Sequence, residues 1–375
     1  MSEGAKYSPG LDGVVAGETA VACVDQGQLL YRGYPIEELA ERSTFEEVAY
    51  LLLFGDLPNV GQLAGIRQRL DDYRVLPSAV IDTIRRIPSD VAMMDVLKTG
   101  VSMTGHFDPT VKADTNDALR DRALWLTAQI SGIIAARYRL LNGKEPREPK
   151  EGLSHAAQFL YQSQGVEPDA ISTRLLDLTL VLYAEHEFNA STFTARVICS
   201  TLSDLVSAVV GAIGALKGPL HGGANEEAME MLRQFKTADE ARAWIADALA
   251  NKKKVMGFGH RVYKNGDHRA KILEQELRKL AASKGQNVWM EIYDAIKGPM
   301  VNDKKIFPNV DYPCGLTYFL MGMPLDLYTP LFVASRVTGW SAHFIEQRVN
   351  NRIYRPLSIY TGHPLRKVVP IQNRG

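Results

Sequence analysis

The chain has 375 residues, 46% hydrophobic and 23% charged, and its 43 Lys and Arg balance 43 Asp and Glu to a formal charge of zero. This is ordinary globular composition, and the length suggests two domains. A neutral total gives no electrostatic support for binding nucleic acid or an anionic membrane. Cys23, Cys199 and Cys314 lie far apart without a CxxC spacing, so neither a zinc ribbon nor a disulfide framework is indicated, which fits a reducing compartment. The opening segment Met1–Gly10 has neither an apolar signal core nor an Arg-rich amphipathic pattern, and a cytoplasmic location is expected.

Residues 12–32 alternate weakly around the turn signal Asp25-Gln26-Gly27-Gln28 and predict a small β-hairpin. Beyond it the pattern is helical almost throughout. Ser43-Thr44-Phe45-Glu46-Glu47 offers two overlapping capping boxes before an apolar run, and Asn59-Val60-Gly61-Gln62 opens a helix toward Tyr73. Further helices are expected over 77–86, 91–104, 115–141, 153–164, 168–184 and 190–216. The apolar stretch Leu205–Leu216 is too short to span a bilayer and reads as a buried helix. Its small residues suit either tight core packing or a subunit interface. Residues 224–297 read as shorter, more charged helices, and a long apolar helix returns after Asp326. The expectation is an all-α fold with a large domain, 1–221 plus 323–375, and a small domain, 222–322, inserted in it.

Three ionisable residues stand where the chain must turn: His221 in Gly218–Asn225, His260 in Gly257–Lys264, and Asp311 in Phe307–Pro313. Catalytic groups gather on such loops and helix ends. A carboxylate with two imidazoles can remove a proton, stabilise an oxyanion and return a proton without a metal. Each of the eight histidines taken alone is more often structural than functional, and His106 and His363 also neighbour glycine. Gly257-Phe258-Gly259 begins like a dinucleotide fingerprint but fails at Val262. No P-loop or H-E-x-x-H motif occurs, and Glu185-His186-Glu187 does not place its ends on one helix face. Arg269, Arg336 and Arg355 are the remaining signal. A multi-carboxylate substrate needs several guanidinium forks, although a lone surface arginine is usually solvated.

Five motifs occur together and in order: Glu185–Thr192, Gly218–Asn225, Gly257–Arg269, Pro308–Asp311 and Ser335–His343, followed by Arg355-Pro356. With them the chain resembles the citrate synthase family, in its short dimeric type, over nearly its whole length; it is also similar to 2-methylcitrate synthase. The resemblance implies a two-domain helical fold and an acyltransferase that condenses acetyl-CoA, or propionyl-CoA, with oxaloacetate. It implies that Asp311 takes the methyl proton, His221 hydrogen-bonds the thioester oxygen, and His260 polarises the oxaloacetate carbonyl. His186, Arg269, Arg336 and Arg355 match positions that hold the dicarboxylate, Arg355 reaching in from the partner of a homodimer. Lys254, Val255, Gly257, Gly259, Lys264 and Asn309 fall where the family binds coenzyme A. No cofactor or metal is implied, the coenzyme A thioester being a substrate.

Overall fold

The computed structural model describes residues 7–25, 27–108, 113–260, 263 and 266–374. Among them are sixteen α-helices and one small sheet. The sheet is an antiparallel meander of β1 (Ala22–Asp25), β2 (Gln28–Tyr31) and β3 (Tyr34–Pro35). The expected hairpin is therefore one strand larger and starts ten residues later. Gly10, Gly13 and Gly17 interrupt the preceding segment, and Gly10 and Gly13 hold φ values of 64° and 71° that no strand adopts. The turn after Asp25 includes Gln26, which lies outside the described residues.

The first eight helices are α1 (Ile36–Arg42), α2 (Phe45–Phe54), α3 (Val60–Asp72), α4 (Ser78–Arg86), α5 (Met93–Thr104), α6 (Asn116–Leu141), α7 (His155–Gln164) and α8 (Ala170–Tyr183). They are followed by α9 (Ala190–Ser200), α10 (Leu205–Leu216), α11 (Ala224–Leu232), α12 (Ala238–Ala250), α13 (His268–Ser283), α14 (Asn287–Asn302), α15 (Asp311–Leu320) and α16 (Tyr328–Val349). The capping signals do what their chemistry predicts. Thr44 and Glu47 satisfy each other's backbone donors at the start of α2, and Asn59 and Gln62 do so at α3.

Helix α16 is apolar on nearly every side and is buried from Tyr328 through Ile345. A helix of that kind belongs at the centre of a core, and α16 packs against α2, α5, α6, α8, α9 and α10. Helices α11 to α15 pack chiefly on one another, through α11 on α15, α12 on α14 and α13 on both α14 and α15. Contacts of α13 with α1 and α8, and of α11 with α16, join the two groups.

The helix expected over 190–216 is in fact two. Ser200 and Thr201 turn their hydroxyls back onto the carbonyls of Val197 and Ile198 at 2.6 and 2.8 Å, and Leu202 takes a φ of 66°. Hydroxyls that bond locally compete with the helix ladder. Asp204 then starts α10 by accepting from the Ser207 N–H at 2.8 Å. The two helices fold back on each other, and a Cβ at Gly211 would lie 2.3 Å from Ile198 Cδ1. At Gly211 the small side chain thus serves packing within the chain.

Candidate active site

A cleft of about 1270 Å³ lies where α8, α9, α16 and the segments around α11 and α15 converge. His186, His221, His260, Arg269, Asp311 and Arg336 all line it. So do Lys254, Val255, Gly257, Gly259 and Asn309. Lys264 lies outside the described residues, and Arg355 is exposed on the C-terminal segment and does not line the cleft.

Asp311 is the first residue of α15, and its N–H donates to Asn309 Oδ1 at 3.1 Å. Its Oδ1 accepts from the Tyr183 hydroxyl at 2.6 Å. Burial raises its pKa to about 6, while the Tyr183 hydrogen bond and the charges of Arg269 and Arg336 pull the other way. The segment leading into Asp311 is tied to the glycine loop before His260. Gly259 N–H donates to Phe307 O at 2.8 Å, Asn309 N–H to Gly257 O at 2.9 Å, and Asn309 Nδ2 to Gly259 O at 3.1 Å. Gly257 must be glycine on two counts: its φ is 81°, and a Cβ would lie 2.7 Å from Tyr312 Cβ.

His221 sits in the tight turn between α10 and α11, where Gly222 N–H donates to Leu216 O at 2.9 Å. The Ser191 N–H, an orphan donor in the first turn of α9, points at His221 Nε2 at 3.3 Å. Ser191 Oγ is 2.8 Å from the same nitrogen and 2.8 Å from Asn189 Oδ1, and it accepts from Trp340 Nε1 at 3.0 Å. A backbone N–H needs an acceptor, so Nε2 carries the lone pair and Nδ1 the hydrogen. Burial, reinforced by Arg336, depresses the pKa to about 4. His221 is thus a neutral imidazole with Nδ1–H to give.

His186, His260 and Tyr263 form an aromatic group. The His186 and His260 rings are 5.1 Å apart, the Tyr263 ring stacks on His260 at 4.6 Å, and His186 Nε2 meets the Tyr263 hydroxyl at 3.0 Å. His260 Nδ1 accepts from the Tyr263 N–H at 3.3 Å. Burial, then the charge of Arg269, keeps His186 well below the usual imidazole pKa.

Arg269, at the start of α13, is clasped by Asp267, with Nε on Oδ1 at 3.0 Å and Nη2 on Oδ2 at 2.8 Å. Burial opposes its charge, but the charge and hydrogen bonds of Asp267, with Tyr263 and Tyr31, together raise the guanidinium pKa above its ordinary value. Asp267 Oδ2 also accepts from the Val310 N–H at 3.1 Å, joining α13 to the residue before Asp311. Arg336 is buried on α16 and donates Nε to Tyr183 O at 2.6 Å. Its guanidinium lies over the Phe332 ring at 4.7 Å, and among the described residues its terminal nitrogens have no hydrogen-bond partner. Two fixed guanidinium groups and two neutral imidazoles at one cleft suit a small dicarboxylate.

A family model described as citrate synthase, C-terminal domain, matches residues 10–357. The chain belongs to the citrate synthase family. It is a condensing enzyme of the transferase class. It is 46% identical to a 2-methylcitrate synthase of Shewanella oneidensis over 100% of both chains. The crystal structure of citrate synthase from Pyrobaculum aerophilum superposes with a TM-score of 0.91 at 40% identity, covering 98% of this chain and 95% of that one. Citrate synthase from Thermoplasma acidophilum, solved as a ternary complex with carboxymethyl coenzyme A and oxaloacetate, gives 0.92 at 35% identity, covering 98% and 100%.

Within this citrate synthase fold, sequence reasoning missed Tyr183, Ser191 as the partner of His221, Tyr263 and Asp267. Tyr183 ends an apolar run and reads as core. Asp267 has the plain signature of a helix cap, which it also is, accepting from the Arg269 N–H at 3.0 Å. Behind the cleft, Glu185 is fully buried and accepts from His343 Nε2 at 2.9 Å, while His343 Nδ1 meets Arg196 Nη1 at 3.0 Å. Gly339 leaves room for it, since a Cβ there would lie 2.1 Å from Glu185 Oε2.

Proposed function

We propose that this chain condenses acetyl-CoA with oxaloacetate and water to give citrate and free coenzyme A. Asp311 removes the α-proton of the thioester. That proton is weakly acidic, so abstraction requires the charge growing on the thioester oxygen to be met at once. His221, neutral and with Nδ1–H fixed as donor, suits that oxygen. The enolic carbon attacks the oxaloacetate carbonyl, which His260 polarises and protonates. Water then hydrolyses the thioester. His186, Arg269 and Arg336 hold the dicarboxylate. The observation that carries this reading is that Asp311, with one carboxylate oxygen bonded and a raised pKa, faces the same cleft as a neutral His221.

The same reading places coenzyme A along Lys254, Val255, Gly257, Gly259 and Asn309. It divides the chain into a large domain, 1–221 plus 323–375, and a small one, 222–322. The separate packing of α11 to α15 supports that division, and closure of the cleft would keep water from the enol. Among the described residues no helix is long and apolar enough to cross a membrane. A cytoplasmic homodimer is the matching assembly, with Arg355 of the partner subunit completing each site. In support, Arg355 is exposed and does not line its own cleft, and Leu357, Ile359, Tyr360, Leu365 and Val368 beyond α16 leave an apolar segment uncovered.

The Shewanella oneidensis relative named 2-methylcitrate synthase favours a second reading, propionyl-CoA in place of acetyl-CoA. One methylene is worth about 1–3 kcal/mol in a pocket. Measuring kcat/KM for both thioesters with oxaloacetate decides: the larger value names the substrate, and no release of coenzyme A from either ends the reading. Mixing Arg355→Ala with Asp311→Asn subunits tests the shared site. A heterodimer then holds one site with both lesions and one with neither, so activity returns on exchange. Heterodimers confirmed by tagged co-purification yet inactive would place Arg355 outside its partner's site.

A further inference from the structure

The structure assigns Tyr183 as the positioning residue of the proton-abstracting carboxylate: its hydroxyl fixes Asp311 Oδ1 and thereby leaves Oδ2 as the oxygen that takes the proton. This rests on Asp311 being the base. Tyr183 is the last residue of α8, 1% exposed, and its ring leans on Phe332 at 4.4 Å and 57°. Its hydroxyl donates to Oδ1 at 2.6 Å, and its carbonyl accepts from Arg336 Nε at 2.6 Å. One residue of the large helical body thus holds both the base and an arginine of the dicarboxylate site. Among the described residues Oδ2 has no protein partner, and it is not among the sealed polar atoms that lack one.

Toward the carboxylate the hydroxyl is the donor, because it keeps its proton. Burial, then the charge of Asp311, raises the Tyr183 pKa well above its ordinary value. Donation to Oδ1 is compatible with both states of the carboxyl group, because the incoming proton goes to Oδ2 and Oδ1 remains an acceptor. The bond is stronger to the ionised form, so it opposes burial and keeps more of Asp311 ionised at neutral pH. The other groups that act on Asp311 are Arg269 and Asp267 from the start of α13 and Arg336 from α16; the charge of Asp311 in turn helps to raise the Cys314 thiol of its own helix.

Tyr183→Phe keeps the ring and the backbone carbonyl and removes only the hydroxyl. Asp311 must be ionised to act, so the rate falls as pH drops through its pKa. Without the donor that pKa rises, and the acid limb of kcat/KM moves upward by about one pH unit, with a loss of about twofold at pH 7 that grows to roughly tenfold well below pH 6. KM for oxaloacetate stays within a factor of about two, because Arg336 keeps its carbonyl partner. An unmoved acid limb, or a loss equal at every pH, overturns the assignment. Asp311→Asn, run in parallel, separates the two ideas. If it abolishes thioester proton exchange while Tyr183→Phe leaves the limb in place, the positioning role alone fails. If it exchanges normally, the base assignment fails.

Discussion

Asp311 and Asp177 are both carboxylates that burial pushes far above their ordinary range, to about 6 and about 7 respectively. Asp311 lies at the head of α15, its Oδ2 left unbonded at a cleft of about 1270 Å³. Asp177 lies inside α8 and does not reach that cleft. Its oxygens are taken up, Oδ1 by the Phe45 N–H at the start of α2 at 3.0 Å and Oδ2 by Arg174 at 3.3 Å, with buried Glu46 as a like-charged neighbour. A perturbed pKa is therefore shared by the proposed base and a structural cap. What separates them is an open lone pair facing a space large enough for substrate.

The sharpest way to break that contrast is to neutralise each carboxylate. Asp311→Asn should lower turnover and thioester proton exchange by roughly 10³-fold, as for loss of a general base, with oxaloacetate binding nearly intact. It should also unfold later at pH 7. A carboxyl group whose pKa is raised in the folded state lends stability at low pH that is lost as pH rises from the unfolded value toward 6. The amide removes that loss, a gain on the order of 1–2 kcal/mol in a denaturant titration. Near-normal turnover would place the base elsewhere.

Next in size are the imidazoles of the cleft. His221→Ala and His260→Ala should each cost about 100-fold in kcat if each supplies a donor to a developing oxyanion. Exchange of the acyl-CoA α-proton separates them, with His260→Ala retaining more of it than His221→Ala. The opposite order would exchange their roles.

The smallest effect on activity belongs to the sealed carboxylate. Asp177→Asn should leave kcat/KM within about twofold while raising stability above pH 7 by on the order of 1–3 kcal/mol. The gain should fade as pH falls through 7, where Asp177 itself takes up a proton. A large loss of activity at full stability would mean that the cap reaches the chemistry after all.

Residues set among turn-forming neighbours are legible in the sequence, and Tyr183, which closes an apolar helix, is not. His221, His260 and Asp311 stand among Gly, Pro and Asn, and those neighbours alone mark a loop or a helix end. The starts of α2 and α3 are equally readable, because a capping box is a local chemical device. Tyr183 is hidden because a tyrosine closing an apolar helix looks like core until the partner of its hydroxyl, 128 residues away, is known. The break between α9 and α10 is hidden for a different reason: Ser and Thr near a helix end are ambiguous until Leu202 shows its backbone angle.

The short ladder between Gly257–Gly259 and Phe307–Asn309 has a consequence for how a long substrate is used. On the proposed reading, one rail of that ladder carries the loop that meets the coenzyme and the other leads within two residues to the base. The nucleotide end of the thioester, remote from any bond made or broken, then acts as a handle whose grip sets the aim of the carboxylate. A short thioester that keeps the acyl group and drops the handle would be bound yet poorly aimed, forfeiting turnover more than affinity.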